Sequence, residues 1–189
     1  MYSLYFVALL PPAKLSEQIT SLKNYCKAQF GSGHALNSPP HITLHMPFKW
    51  KEARKQELID CLNQVALAHE PFLIQLKDFD YFEPRVVFVN VLENTELRQL
   101  QKSLSEQMRR SLHLFNAAYK DRPFHPHMTI AFRDLRKAMF YEAKAYFSTQ
   151  QLAMEFDAKN LTLLRHRDKT WEVEEQFSMG NKSLNSPND

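Results

Sequence analysis

Apolar positions along the chain switch between a strand-like and a helix-like period, and the switches mark the elements. Tyr2 to Leu10 is β-rich and is stopped by Pro11 and Pro12, which cannot extend a sheet ladder. From Lys14 to Phe30, Leu15, Ile19, Leu22 and Cys26 recur every three or four residues and predict a helix, closed by Gly31-Ser32-Gly33. Pro39-Pro40 forces an extended approach to a short strand over His41 to Phe48. Lys51 to His69 carries Leu58, Leu62, Val65 and Ala66 on one helical face, and Phe72 to Phe82 is a strand. Arg85 to Leu92 is a β-branched apolar strand, and Leu97, Leu100, Leu104, Met108 and Leu112 mark a long helix. A second short strand, His125 to Phe132, follows Pro123; a helix over Asp134 to Phe147 takes Asp134 as its expected N-cap. Strands over Leu152 to Phe156, Leu161 to Leu164 and Trp171 to Phe177 complete the pattern. The polar stretch 180–189 is expected to be a disordered tail.

This order repeats. Each half reads strand, helix, short histidine-bearing strand, helix, strand, with extra strands at the end of the second. The prediction is an α+β, bilobed, duplicated fold. Two antiparallel sheets flank a central cleft and the helices lie outside. Residues 1–179 form one domain with pseudo-repeats at about 1–84 and 85–179. The pattern does not decide whether strands are exchanged between lobes.

Composition narrows the chemistry. Only 3 glycines occur, which excludes a glycine-rich phosphate cradle and a dinucleotide fingerprint, so side chains must bind any phosphate. A net charge of +3 is too small to argue for duplex DNA, but it suits a small anionic ligand or one RNA end. Cys26 and Cys61 form no CxxC pair and read as reduced core thiols, as in a cytoplasmic protein. The N-terminal segment lacks the basic region and cleavage site of a signal peptide, and no apolar run approaches membrane-spanning length. A monomer that engages neither membrane nor duplex DNA is expected.

The 8 histidines are more informative, because two of them stand in matching tripeptides, His41-Ile42-Thr43 and His127-Met128-Thr129. In a strand, positions i and i+2 share a face, so each histidine lies beside its threonine. Pseudo-symmetry would set the two pairs opposite each other. One neutral imidazole can take a proton from an attacking water while the other, protonated, supplies a leaving oxygen. Threonine hydroxyls donate to phosphoryl oxygens without adding charge. Most single histidines on strands are structural. Two in register, each after a proline-containing approach and each before a helix, point to a metal-free, cofactor-free phosphodiester site.

The segments His41-Ile42-Thr43-Leu44 and His127-Met128-Thr129-Ile130, together with the opening Leu4 to Pro11, resemble the 2H phosphoesterase superfamily, which includes 2′-5′ RNA ligase-like proteins and cyclic nucleotide phosphodiesterases. The resemblance runs over about Met1 to Phe177. It implies a bilobed fold, no metal, and action on 2′,3′-cyclic or 2′-5′ phosphodiester bonds of nucleotides or RNA ends, with His41 and His127 catalytic and Thr43 and Thr129 phosphate-binding. Arg133, His45 and His125 share the histidine faces by strand parity and are further candidates for substrate contact or orientation. Tyr81, with Phe48, Trp50 and Phe82, is a candidate for stacking a base, against a default of core packing. Arg109-Arg110 and Arg165-His166-Arg167 read as solvated charge. Two other functions fit the pattern: a nucleotide-end binding module without turnover, and ligation as the reverse reaction. A metal site from His41, His45, His125 and His127 is disfavoured, because their spacing spreads the rings along the strand with no carboxylate beside them.

Overall fold

The computed structural model describes residues 1–116 and 123–180, so the tail expectation falls outside it except at Gly180, whose N–H donates to the His69 carbonyl at 2.8 Å. Eight strands and four helices follow in the order β1 (Tyr2–Leu9), α1 (Ala13–Phe30), β2 (Ile42–Lys51), α2 (Lys55–Leu67), β3 (Phe72–Phe82), β4 (Val86–Val91), α3 (Thr95–Leu112), β5 (His127–Ala131), α4 (Lys137–Phe147), β6 (Ala153–Ala158), β7 (Asn160–Arg167) and β8 (Thr170–Ser178). Two antiparallel four-stranded sheets have the orders β2-β1-β7-β8 and β5-β4-β3-β6. The fold is α+β, with helices packed against both sheets.

The sheets do not follow the expected division at residues 84 and 85. β3 joins the second sheet, and β7 and β8 join the first. The connection from β3 to β4 forces this. It is only Glu83-Pro84-Arg85, too short to do anything but a hairpin turn, so β3 pairs with β4 from Leu76↔Val91 to Phe82↔Val86. The chain crosses between sheets at the single residue Lys159, and β7 then fills the place beside β1 that β3 has left.

The inner faces of both sheets meet the helices in one core, from Tyr5, Val7, Leu9, Ile42 and Leu44 on the first sheet to Ile74, Val87, Val89, Met128 and Ile130 on the second. The helices supply Ile19, Leu62, Leu100, Leu104 and Phe140, all with no exposed surface. α1 ends at Gly31, whose φ of 68° is the left-handed C-cap that glycine adopts without strain. Asn94 caps α3 by accepting the Leu97 N–H at 2.7 Å.

Asp134 does not cap a helix. α4 begins three residues later, and the Asp134 carboxylate instead accepts from the Ser32 hydroxyl (2.8 Å) and the backbone N–H groups of Gly33 and His34 (2.9 Å each). The predicted strand from His41 extends to Lys51, and a short 3₁₀ turn, Glu52–Arg54, precedes α2.

Candidate active site

β2 and β5 are edge strands of their sheets and lie next to each other, which brings the two H-x-T segments together. Between them runs a cleft of about 560 Å³, within the range typical of small-molecule sites. His41, Thr43, His127 and Thr129 all line it. Ile42 and Met128, the middle residues, are fully buried on the opposite face.

Each histidine is held the same way. His41 Nδ1 lies 2.7 Å from the Pro39 carbonyl and His127 Nδ1 lies 2.7 Å from the His125 carbonyl. A carbonyl can only accept, so Nδ1 carries the proton in both rings and Nε2 is left with its lone pair for proton transfer. The buried Pro40 and Pro126 precede the two histidines, and their fixed backbone sets the i−2 carbonyl against the ring. The His41 ring packs on Phe6 at 4.8 Å, and His127 packs on Phe82 and Phe88 at 5.0 Å each.

Burial pushes the His41 imidazole down from 6.5 to about 4, with smaller depressions from the Lys23 and His127 charges. Burial lowers His127 as well, aided by the His125 charge. Both rings are therefore neutral near pH 7. Lys23, whose charge acts on His41, is buried and donates to the carbonyls of Ala35 (3.0 Å) and Ser38 (2.9 Å). It pins the 3₁₀ turn His34–Asn37 that walls the cleft, at the cost of a desolvated ammonium lowered to about 8.

Strand parity fails at His45, and the register shows why. Ala8 pairs with Thr43 and Val7 with His45, so Leu44 is an extra residue on β2. The second segment does the same: Phe88 pairs with Thr129 and Val87 with Ala131, leaving Ile130 extra. A β-bulge after each threonine turns the next two side chains to the core. Leu44 and His45 are buried, as are Ile130 and Ala131. His45 is thus a core residue. It sits 1% exposed, edge-on to Phe48 at 5.2 Å, its Nδ1 3.0 Å from the Met46 carbonyl and its Nε2 without a partner among the described residues.

The remaining candidates separate. The His125 side chain is exposed and packs on Phe82 and Phe88 outside the cleft; only its carbonyl serves His127. Tyr81 points to α4, its hydroxyl 3.3 Å from both the Lys144 carbonyl and Ser148 Oγ. Phe48 and Trp50 are core residues, whereas Phe82 does line the cleft. Arg133 also lines it, although β5 ends at Ala131, because a left-handed backbone (φ 62°) redirects it. The sequence reading missed Phe6, His34, Phe132, His166, Lys169 and Trp171, which complete the walls. His166, expected as part of a solvated charge run, instead lies on β7 paired with Trp171 of β8, their rings edge-on at 5.0 Å, and His34 in its turn carried no periodic signal. Among the described residues, no group of three or more histidine, cysteine or carboxylate side chains is placed to hold a metal ion, and no helix is long and apolar enough to cross a membrane.

The arrangement offers two unprotonated imidazole nitrogens and two neutral hydroxyls around one space. That set can move two protons and bind a phosphoryl group without a fixed charge at its centre. Known proteins resemble this chain in sequence and in fold. A protein of Geobacillus thermodenitrificans, provisionally named a phosphoesterase, is 29% identical over 181 residues, covering 94% of this chain and 97% of its own. One from Geobacillus kaustophilus, named likewise, is 28% identical with the same coverage. Among solved structures, Escherichia coli LigT complexed with 3′-AMP superposes with a TM-score of 0.70 at 20% identity, covering 96% of this chain and all of LigT. A Thermus thermophilus protein superposes at 0.67 with 19% identity, covering 95% of this chain and 99% of its own. The model of the 2′-5′ RNA ligase superfamily matches residues 11–170, so the chain belongs to that superfamily, the 2H phosphoesterases, as its paired tripeptides suggested.

Proposed function

We propose that this protein is a metal-independent phosphodiesterase that opens 2′,3′-cyclic phosphates, or cleaves 2′-5′ phosphodiester bonds, at nucleotides or RNA ends. The observation that carries this reading is the matched pair of imidazoles, each with Nδ1 committed to a carbonyl and Nε2 free in one cleft. Water attacks phosphorus in line with the departing ribose oxygen. One Nε2 takes the water proton as the P–O bond forms; the other imidazole delivers a proton to the leaving oxygen as the old P–O bond breaks. The product is a ribose phosphomonoester with a free hydroxyl.

Both rings are neutral without a bound anion, so the proton for the acid role is taken up from solvent as the substrate binds. A bound phosphodiester anion favours the charged form of an adjacent imidazole and raises its pKa toward neutrality. Thr43 and Thr129 donate to the non-bridging oxygens, where negative charge builds in the transition state. Phe82 and Trp171, the less buried of the aromatic rings that line the cleft with Phe6, are the candidates to meet a base. LigT holds 3′-AMP in its own structure, which supports a small nucleotide as the ligand class here. The same transition state serves ligation, with a ribose hydroxyl in place of water.

A panel of 2′,3′-cyclic nucleotides and 2′-5′ dinucleotides, with the phosphate position of each product identified, tests the proposal. Turnover of at least one class in the presence of a chelator is expected. Tight binding with no turnover of any member would leave a binding module instead.

A further inference from the structure

We propose that one end of the cleft, built by Arg133 and His34 and locked by Asp134, is a subsite for a second phosphate of the ligand, distinct from the phosphoryl group between the two histidines. The inference rests on the reading of the cleft given above and extends it to the substrate class.

The centre of the cleft holds neutral groups: two imidazoles depressed by burial and two threonine hydroxyls. The permanent positive charge of the lining comes from Arg133 and Lys169, and no aspartate or glutamate is among the lining residues; the Asp134 carboxylate next to Arg133 is taken up by donors of residues 32–34. A monoanionic diester at the centre leaves the Arg133 charge unspent. Among the described residues no carboxylate forms an ion pair with Arg133; Arg85, Arg109 and Arg136 also lack one, but of these four only Arg133 lines the cleft. Its guanidinium instead sits 5.7 Å from the centre of the Phe132 ring, and Nη1 is 3.4 Å from His34 Nε2. A guanidinium can only donate, so His34 accepts. A neutral partner at that length orients the fork without neutralising it, which leaves its other N–H groups for the paired oxygens of a phosphate.

The chain spends conformational energy to put it there. Arg133 has φ 62°, a left-handed backbone that is strained for a residue bearing a side chain. The next residue holds that turn. The Asp134 N–H donates to the Phe132 carbonyl at 2.8 Å, and its carboxylate gathers the Ser32 hydroxyl and the Gly33 and His34 N–H groups. Asp134 is thus a positioning residue. It ties the end of β5 to the loop after α1, and so sets Arg133 and His34 at one distance.

The ligand chemistry is a nucleotide with a second phosphate, either the terminal 5′-phosphate of a cyclic mononucleotide or the next internucleotide phosphate of an RNA end. kcat/KM for 2′,3′-cyclic AMP, its 5′-phosphorylated form and a dinucleotide with a 2′,3′-cyclic end separates the two sources. At least one phosphorylated substrate should exceed the plain one about tenfold, mainly in KM. Arg133→Gln should bring that ratio to about one. Asp134→Asn should lower it partway, by raising KM for the phosphorylated substrate more than it changes kcat. Calorimetric titration with adenosine 3′,5′-bisphosphate and with 3′-AMP makes the same comparison without turnover, so a failure of the hydrolase reading does not mask the result. Equal affinity for the two nucleotides in the wild type, or a preference that survives Arg133→Gln, overturns the subsite.

Discussion

Replacing His41 with asparagine should make the protein relatively more stable in acid than at neutral pH. Asparagine can still donate to the Pro39 carbonyl but has no proton to gain. The native His41 imidazole is held to about 4 against an ordinary 6.5. Below pH 6.5 the unfolded chain therefore takes up a proton that the native cleft refuses, and stability falls with pH until about pH 4, where the native ring protonates too. At about 1.4 kcal/mol per pH unit across that window, the cost is roughly 3.5 kcal/mol at most, less what water at the half-buried ring screens. Urea titrations of wild type and variant at intervals from pH 7.5 to pH 4 read it directly. The advantage of the wild type over the variant should shrink by about 2–3 kcal/mol over the range. His45 and His127 contribute to both proteins and cancel in the difference, apart from the small mutual repulsion of His41 and His127. A difference that does not change with pH would mean that His41 is not held neutral, and the argument for an unprotonated pair in the cleft would go with it.

Alanine at His41 or at His127 should each cost about 100- to 10,000-fold in turnover, measured as kcat on a cyclic nucleotide, with near-normal folding by circular dichroism. Thr43→Val and Thr129→Val keep shape and remove a donor, and each should lower kcat by about 10- to 1,000-fold with little change in KM. His45→Leu removes a buried imidazole whose Nε2 has no partner, so it should be no less stable than wild type at pH 7.5 and more stable at pH 5 by urea titration. A clear loss of stability at both pH values would show that His45 is satisfied by a contact it does not display.

Much of the site was legible in the sequence because its geometry is local. The i, i+2 spacing placed each histidine beside its threonine, and the preceding proline stands in both segments. What parity could not carry was the bulge after each threonine. Leu44 and Ile130 look like ordinary strand residues, yet each is the extra residue that sends the next side chain inward. A bulge is set by pairing with β1 or β4, far away in sequence, so His45 was read onto the wrong face. The exchange of β3 and β7 has a similar origin. Element order repeats by halves, but the short turn at Glu83-Pro84-Arg85 dictates pairing, and only three-dimensional strand order reveals the result. Asp134 shows a third kind of miss. An aspartate before a helical pattern is a sound N-cap signal, but here tertiary donors from residues 32–34, a hundred positions away, won the carboxylate.

The central claim is that two imidazoles, one from each H-x-T segment, act on one phosphorus. Hydrolysis of a 2′,3′-cyclic nucleotide in isotopically labelled water, followed by mass analysis of the product in wild type, His41→Ala and His127→Ala, tests it most directly. One labelled oxygen in the phosphomonoester, formed by the wild type and lost with either substitution, is the expected result. Label incorporation at the wild-type rate in either variant would contradict it.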